Sequence, residues 1–533
     1  MYTQLVPHAA VVFPRSARVQ MGRGKKKTPP PAASSAPSAS APNAAPVPFN
    51  ATNETIVEEF GPSIPGEHKW LGAAMGEDGS IWGVPSNNRR VVKVVPESGE
   101  VTEHGEDDTL GTREYKYLRG IRTVTGTILG IPAWADSVLE ITPSTGEVNT
   151  IGELQTPQTK NLKKWKWMWH GAAAGLDGNI YGIPSNASEV LFIDPRTKEV
   201  STFGKGQLPK DVTNKWYGGI RGPDGNIYGM PYKADSVLKI IPEKRECELL
   251  GDFSSVEGGW KWHGGVLAPN GCIYAFPSHA PRVLKIDCKK GTTEMIGPSF
   301  EGKYKWGGGA VDLNGNVFGM PSDTDCVLRI DIKTDQVTTI GHGQLGANIK
   351  NKWQGAVLAP DGMLYAVPGD ATSVLKINPN TLQCSLVGNL SEVGDKWQGG
   401  FLGENGVIFC IPENADRILR IVPPGCGGSE EERRKFVEDK KKESKWKETV
   451  GMSAVLAAVG PVSAASAASA ADTTIATASA IPATSPESLS IGLVGLAVAA
   501  VGLVVGGLLR KKDETQPTKP SKENSSPRKK GWA

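Results

Sequence analysis

The chain has 533 residues, and its 59 Lys and Arg against 56 Asp and Glu leave a formal net charge of only +3. A charge this close to balance gives no electrostatic sign of a partner, and we predict no nucleic-acid ligand. The seven cysteines are odd in number and include no CxxC pair. This pattern excludes a disulfide framework and a cysteine metal centre, and it favours a reducing compartment.

The first 50 residues form a basic stretch that is rich in Ala, Ser and Pro and contains no acidic residue. It includes the run from Lys25 to Lys27 and lacks the long apolar run of a secretory signal peptide. Such a composition buries too little apolar surface to fold alone. We therefore predict a disordered arm over 1–50, with an organelle transit peptide as the alternative.

A repeated unit follows the arm. Residues 261–287 read KWHGGVLAPNGCIYAFPSHAPRVLKID, and residues 305–331 read KWGGGAVDLNGNVFGMPSDTDCVLRID. The unit occurs eight times at a spacing of 44 to 52 residues, with its leading aromatic at Trp70, Tyr117, Trp169, Trp216, Trp262, Trp306, Trp353 and Trp397. A period of this length indicates an array of supersecondary units that bury their apolar faces against one another.

Each unit has the pattern of four short β-strands. An apolar run follows the aromatic, then Asn-Gly or Asp-Gly, a second apolar run, a polar loop, a third run, a turn and a short fourth run. Asx-Gly between apolar runs is the strongest short hairpin signal, because both residues tolerate positive φ. Four antiparallel strands in a unit of this size are typical of a propeller blade.

The two ends of the array complement each other. The eighth unit, which begins at Lys396, reaches PPGCGGSEEERRKF where its fourth strand belongs, whereas 54–61 resemble a fourth strand without a preceding three. An open solenoid needs capping repeats, and the sequence has none. We therefore predict an all-β, eight-bladed propeller over 53–424, closed by the N-terminal strand, which leaves no long strand edge exposed.

The blade motifs resemble known propeller families. The segments PDGNIYGMP at 223–231 and VLKID at 283–287 are similar to virginiamycin B lyase-like repeats, and PSTGEV at 143–148 resembles quinoprotein-like blades. The resemblance covers 53–424 and implies a propeller, a fold that hosts enzymes, scaffolds and receptors. Quinoprotein blades carry a docking tryptophan on the fourth strand, whereas here the aromatic opens the first. We therefore predict no quinone or other cofactor.

The chain after the propeller divides into four segments. Residues 429–450 begin with a capping box, Ser429 to Glu432, and predict a charged helical linker. An Ala/Ser/Thr-rich linker follows over 451–490. Residues 491–509 contain no charge or hydroxyl and, at about 28 Å long as a helix, predict a transmembrane span. Residues 510–533 form a basic tail.

Small residues lie three and four apart along the predicted span, at Gly492, Gly495, Ala499, Gly502 and Gly506. Such a stripe allows two membrane helices to approach closely, so a homodimer through this seam is one interpretation; a general abundance of Gly and Ala in such helices is the other. The basic tail favours a cytosolic C-terminus and hence an external propeller. A tail anchor with a cytosolic propeller explains the missing signal peptide, and we favour it.

The repeated Lys-aromatic pair is interpreted as structural, because a feature of nearly every blade serves the fold. The residue after the aromatic varies instead. We expect it to face one mouth of the central channel and predict a site for a protein or small-molecule ligand there, at His170, Tyr217, His263, Gln354 and Gln398.

Catalysis has no motif in its support. The sequence shows no nucleotide loop, no Ser/His/Asp arrangement and no zinc pattern. We predict no catalytic residue and no metal ligand. The sequence thus indicates a membrane-anchored binding or scaffolding module, and the alternative is a propeller lyase, hydrolase or quinoprotein-like dehydrogenase with its site at the channel mouth.

Overall fold

The computed structural model describes residues 47–154 and 166–442, and they form an eight-bladed β-propeller. Each blade is one four-stranded antiparallel sheet. The first strand of each blade, here called the inner strand, contacts the inner strands of both neighbouring blades, and the inner strand of blade 8 contacts that of blade 1. The predicted all-β fold with four-stranded blades is confirmed.

The bounds of the strands repeat closely from blade to blade. In blades 1 and 2 the strands are β2 (Trp70–Met75), β3 (Ile81–Pro85), β4 (Val91–Val95), β5 (Glu100–His104), β6 (Tyr117–Arg122), β7 (Ile128–Pro132), β8 (Ser137–Thr142) and β9 (Glu147–Glu153). In blades 3 and 4 they are β10 (Trp169–Ala174), β11 (Ile180–Pro184), β12 (Val190–Asp194), β13 (Glu199–Phe203), β14 (Trp216–Arg221), β15 (Ile227–Pro231), β16 (Val237–Ile241) and β17 (Glu246–Leu250).

The second half of the ring has the same arrangement. In blades 5 and 6 the strands are β18 (Trp262–Leu267), β19 (Cys272–Pro277), β20 (Val283–Asp287), β21 (Thr292–Ile296), β22 (Trp306–Val311), β23 (Val317–Pro321), β24 (Val327–Asp331) and β25 (Gln336–Ile340). In blades 7 and 8 they are β26 (Trp353–Leu358), β27 (Leu364–Pro368), β28 (Val374–Asn378), β29 (Gln383–Val387), β30 (Trp397–Leu402), β31 (Ile408–Pro412) and β32 (Ile418–Val422).

The ring closes through the N-terminal strand β1 (Ile56–Phe60), which pairs antiparallel with β32 and completes blade 8. The ring of Phe60 packs against Phe409 at 5.7 Å. The closure also extends further back along the chain than the sequence indicates, because Val47 and Asn50 are buried and hydrogen-bond to the backbone of 422–428. The last blade thus depends on chain from both ends of the propeller.

The Asx-Gly turns link the first and second strands as predicted. Gly79 and Gly225 have φ of 74° and 83°, a left-handed conformation that glycine adopts without steric cost. Each inner strand also carries a register shift just after its leading aromatic, as between Trp216 and Gly219. Such a bulge re-aims side chains, and four predicted ligand residues lie within it: His170, Tyr217, His263 and Gln354.

A short helix follows the propeller at 430–442, here called α1. At its start the Glu432 backbone N–H donates to Ser429 Oγ at 3.3 Å, and the Ser429 N–H donates to Glu432 Oε2 at 2.7 Å. This reciprocal pair caps the N-terminus of the helix.

No helix within 47–154 and 166–442 is long and apolar enough to span a bilayer. The predicted span 491–509 lies outside the described residues, and so does its seam of Gly492, Gly495, Ala499, Gly502 and Gly506.

Candidate ligand site at the channel mouth

The repeated Lys-aromatic pair is buried between blades. The seven leading tryptophans are at most 1 % exposed, and each indole N–H donates at 2.7 to 3.0 Å to the carbonyl 20 residues later. The preceding lysines are at most 3 % exposed. Lys215 Nζ, for example, donates to the carbonyls of Ser185 and Ala187 at 2.9 and 2.7 Å, and burial lowers the pKa of Lys215 to about 8. The lysine contacts join one blade to the next, whereas each indole hydrogen bond stays within its own blade.

Two positions ahead of each leading aromatic lies a ring of residues that we call the rim. All eight rim residues have left-handed backbone, with φ between 49° and 70°: His68, Tyr115, Trp167, Asn214, Trp260, Tyr304, Asn351 and Asp395. Asn, Asp and His tolerate this conformation better than other residues, whereas for bulky Tyr and Trp side chains it is a strained one. Four blades therefore hold a Tyr or Trp in a backbone conformation that disfavours it.

A second ring of residues locks the rim in place. It consists of the second residue after the proline that ends each blade's second strand: Asn87, Trp134, Asn186, Lys233, His279, Asp323, Asp370 and Asn414. In every blade the backbone N–H of this loop residue donates to the rim carbonyl at 2.9 to 3.1 Å. Five of the loop side chains also accept the rim N–H of the following blade, as Asn87 Oδ1 accepts from Tyr115 at 2.8 Å.

The remaining loop residues are not Asn or Asp, and the rim residues that follow them are aromatic. Trp134, Lys233 and His279 precede the rim residues Trp167, Trp260 and Tyr304 around the ring. The result is a chain of ring contacts, which we call the aromatic arc and which comprises His68, Tyr115, Trp134, Trp167, His170, Tyr217, Tyr232, Trp260, His263, His279 and Tyr304.

Three of the predicted ligand residues lie together in this arc. The ring of Tyr217 stacks on His170 with centroids 3.7 Å apart and meets His263 edge-on at 4.8 Å. All three are 3 to 4 % exposed, beneath the rim rather than on the surface. Burial and the charges of Arg119 and His263 hold the pKa of His170 well below its usual range, so this imidazole is neutral at pH 7.

The other two predicted residues, Gln354 and Gln398, lie in blades 7 and 8 beside carboxylates and amides. Gln354 Nε2 donates to Asn351 Oδ1 at 2.9 Å, and Gln398 Nε2 donates to Glu413 Oε2 at 2.5 Å. Asn351 in turn donates to Asp395 Oδ1 at 2.6 Å. The mouth is therefore polarised, with aromatic rings over blades 1 to 6 and carboxyl and amide groups over blades 7 and 8.

Glu413 is the most perturbed carboxyl of the mouth, and sequence reasoning did not single it out. It is 3 % exposed, and burial raises its pKa to about 7. His68 Nδ1 lies 2.7 Å from Glu413 Oε1, and this hydrogen bond raises the pKa of His68. Burial dominates at Glu413, because the carboxyl is the more enclosed of the two groups. The sequence signal was the residue after the proline that ends the second strand. This residue is Ser in four blades and Glu in blade 8.

Arg119 is the second residue that the sequence analysis missed. It occupies the second position after the leading aromatic of β6, where the other seven blades have glycine, and its φ is 61°. Burial lowers the pKa of its guanidinium to about 10. The sequence signal for Arg119 was that it replaces the glycine that the other seven blades have two residues after the leading aromatic.

A cluster of metal-ligating side chains lies elsewhere in the described part of the chain. Ligand atoms of Asp325, Cys326 and His342 fall within 4.8 Å of one another at the outer strands of blade 6. Burial raises the pKa of the Cys326 thiol. This cluster is not part of the mouth.

Comparisons with known proteins show similarity in fold only. No protein-family model and no curated protein matches the chain. The solved structure of Saccharomyces cerevisiae Sqt1 matches with a TM-score of 0.50 at 10 % identity, covering 67 % of this chain and 97 % of Sqt1. A catalytically inactive virginiamycin B lyase from Staphylococcus aureus, with quinupristin, matches with a TM-score of 0.44 at 12 % identity, covering 69 % of this chain and 99 % of the lyase.

Proposed function

We propose that this β-propeller is a binding module that captures a protein or small-molecule ligand at the rim of its central channel. The observation that carries the proposal is the strained backbone of the four rim residues Tyr115, Trp167, Trp260 and Tyr304. Left-handed conformation costs an ordinary residue about 1 to 2 kcal/mol. Blades 4, 7 and 8 meet the same geometry with Asn or Asp, so the large rings are not needed to build a blade.

Strain without a benefit to the fold is a sign of function. Tyr115, Trp167 and Tyr304 keep part of their ring surface open to solvent, and aromatic faces supply large contact area at little cost in side-chain entropy. We infer that the ligand presents a planar or apolar group to the arc. Because carboxylates stand across the mouth, a cationic substituent on that group would be favoured.

The test combines three changes at the partly exposed rim rings, Tyr115→Asn, Trp167→Asn and Tyr304→Asn, in one full-length variant. Wild type and variant are applied to the same glycan and peptide arrays, and their thermal melts are compared. We expect ligands that wild type retains to be lost from the variant, with melting unchanged within a few degrees. The control variant carries Leu176→Asn, which removes an exposed apolar side chain from a turn away from the rim. Equal retention by wild type and rim variant contradicts the proposal.

An enzyme is the second candidate, and the Glu413–His68 pair favours it. A carboxyl whose pKa burial raises to about 7, hydrogen-bonded to an imidazole, is suited to proton transfer near neutral pH. Turnover of a captured ligand by wild type, lost in Glu413→Gln with ligand affinity kept, would select this candidate over simple binding.

We also propose, from the sequence alone, that 491–509 anchor the propeller to a membrane as a tail anchor. The test is protease added to intact organelles, together with mobility shifts at the sequons of Asn186 and Asn389. Cleavage of the propeller without glycosylation is the expected result. A protected, glycosylated propeller contradicts the tail anchor and favours the positive-inside orientation.

A further inference from the structure

The glycine column below the rim has one exception. The second residue after each leading aromatic has positive φ in all eight blades, and the glycines of the column are Gly72, Gly171, Gly218, Gly264, Gly308, Gly355 and Gly399. In blade 2 the residue is Arg119. Its φ is 61°, a conformation that glycine adopts without steric cost, whereas an arginine adopts it only at a cost in free energy. Glycine would thus serve the backbone better at this position.

The side chain of Arg119 runs along the wall of the central channel. An ideal Cβ on Gly171 of the next blade would lie 3.0 Å from Arg119 Cδ and 3.4 Å from Nε, so the glycine leaves the space that the side chain occupies. Arg119 keeps a partly accessible surface, although its surroundings desolvate the guanidinium. Arg119 is therefore a largely buried residue that solvent reaches from one side, as expected for a side chain that lines the central channel.

The neighbours of Arg119 are groups that recognise anions. Tyr217 lies within electrostatic range of the guanidinium. Burial first, and then the positive charge of Arg119, lowers the pKa of His170, which stays neutral at pH 7. His170 is 4 % exposed, and its Nδ1 has no hydrogen-bond partner among the described residues. A neutral imidazole can carry its proton on either nitrogen, so Nδ1 is available as a donor.

Arg119 combines two costs, a strained backbone and a desolvated charge, at a site where glycine would avoid both. A guanidinium presents its N–H groups as a planar fork that matches two oxygens of a carboxylate or phosphate. In a water-poor channel such a contact is stronger than at the surface. The backbone conformation that the eight blades share at this position therefore holds one arginine whose guanidinium can bind an anion.

We propose that Arg119, together with His170 and Tyr217, binds the oxyanion group of a ligand, a carboxylate or a phosphate, inside the central channel. This site lies below the rim and contacts it, since His170 lies against Trp167 and Tyr217 against Trp260. Changes at Arg119 leave every rim residue in place, and the rim variant keeps Arg119, so the two proposals fail in different variants.

The test uses the full chain and three probes at constant ionic strength and pH 7: benzoate, inorganic phosphate and chloride. Isothermal titration calorimetry and thermal shifts are measured for wild type, Arg119→Gly, Arg119→Lys and Arg122→Gln. Arg119→Gly restores the residue of the other blades, and Arg122→Gln removes an exposed positive charge from the same strand.

We expect one oxyanion to bind wild type more tightly than chloride does. Arg119→Gly should lose at least tenfold in affinity while its unliganded melting temperature stays equal or rises. Arg119→Lys should be intermediate, because it keeps the charge without the fork, and Arg122→Gln should bind as wild type does. Stronger binding of benzoate assigns a carboxylate, and stronger binding of phosphate assigns a phosphate.

Two outcomes overturn the proposal. One is unchanged oxyanion affinity in Arg119→Gly, which would make the arginine irrelevant to binding. The other is the absence of any probe that binds wild type above the level of chloride.

Discussion

The leading tryptophan and the rim residue lie two positions apart in the same blade, yet the first is nearly the same in every blade and the second varies. Trp216 is fully buried and shares its indole contact with six other blades. The rim residue changes from His to Tyr, Trp, Asn or Asp around the ring while its backbone stays the same. The position with the same residue in nearly every blade thus builds the ring. The position whose residue varies while its backbone conformation stays the same is free to take another role.

The same comparison holds two residues after the leading aromatic of the inner strand. Glycine recurs because the bulge requires positive φ, and the departure at Arg119 stands out against that requirement. A repeat protein therefore provides its own reference, since seven blades show what the fold needs at a position and the eighth shows what was added. The predictions below test this separation between building positions and variable positions.

Removal of 47–61 should have the largest effect on stability. It deletes β1 together with the buried Val47 and Asn50, exposes the edge of β32 and removes the contact of Phe60 with Phe409. Loss of several hydrogen bonds and of buried apolar side chains should lower the free energy of unfolding by about 5 kcal/mol or more. Chemical denaturation measures it.

The control for that deletion removes 1–45, and we expect it to melt as the full chain does. Equal melting of the two truncations contradicts closure by the N-terminal strand.

Trp216→Ala should cost about 3 to 5 kcal/mol of unfolding free energy, because it opens a large cavity between blades and leaves the Ser236 carbonyl without its donor. Urea denaturation followed by circular dichroism gives the value. The matched control is Trp134→Ala, a partly buried tryptophan of the aromatic arc, which should cost less. Similar losses for both would show that the arc is as structural as the repeated tryptophan.

Glu413 makes stability depend on pH. Because burial raises its folded-state pKa to about 7, above the ordinary 4.5, the stability that its proton contributes is present below pH 4.5 and is lost as pH rises through about 7. Glu413→Gln should flatten this slope by roughly 1 to 3 kcal/mol between pH 5 and 8.

Melts at several pH values measure that slope, and Glu404→Gln, at an exposed turn of the same blade, is the control. An unchanged slope in Glu413→Gln would mean that the carboxyl stays ionised in the folded protein.

Lys215→Met should cost about 1 to 2 kcal/mol, because the Ala187 carbonyl loses its donor. The loss is limited because blade 3 carries Met168 at this very position and still forms. Denaturation of Lys215→Met beside the exposed control Lys210→Met gives the difference. A cost as large as that of Trp216→Ala would contradict the view that the tryptophan dominates this pair.

Tyr304→Asn should have the smallest effect, within about 0.5 kcal/mol of wild type, because relief of backbone strain offsets the lost contacts with Trp260 and His279. The reverse change, Asn214→Tyr, should cost about 1 kcal/mol because it adds the same strain. Both are measured by thermal melting. If Tyr304→Asn is strongly destabilising, the rim rings serve the fold, and the binding proposal loses its basis.

The sequence by itself determined the blade count, the strand order and the closing strand. These follow from local signals: Asx-Gly turns, recurring apolar runs, a lone strand at the N-terminal end of the array and a blade that lacks one strand at the other. It also separated repeated from variable positions, and three of the variable ones, His170, Tyr217 and His263, do meet in the structure.

Only the tertiary structure decided how deep those residues lie and what surrounds them. A rim with left-handed backbone covers them, and Arg119 and Glu413 reach the mouth from blades that are distant along the chain. The physical reason is that a closed ring brings all eight inner strands around one axis. Side chains some 50 residues apart then become neighbours within a few ångströms, as His170 and Tyr217 are at 3.7 Å.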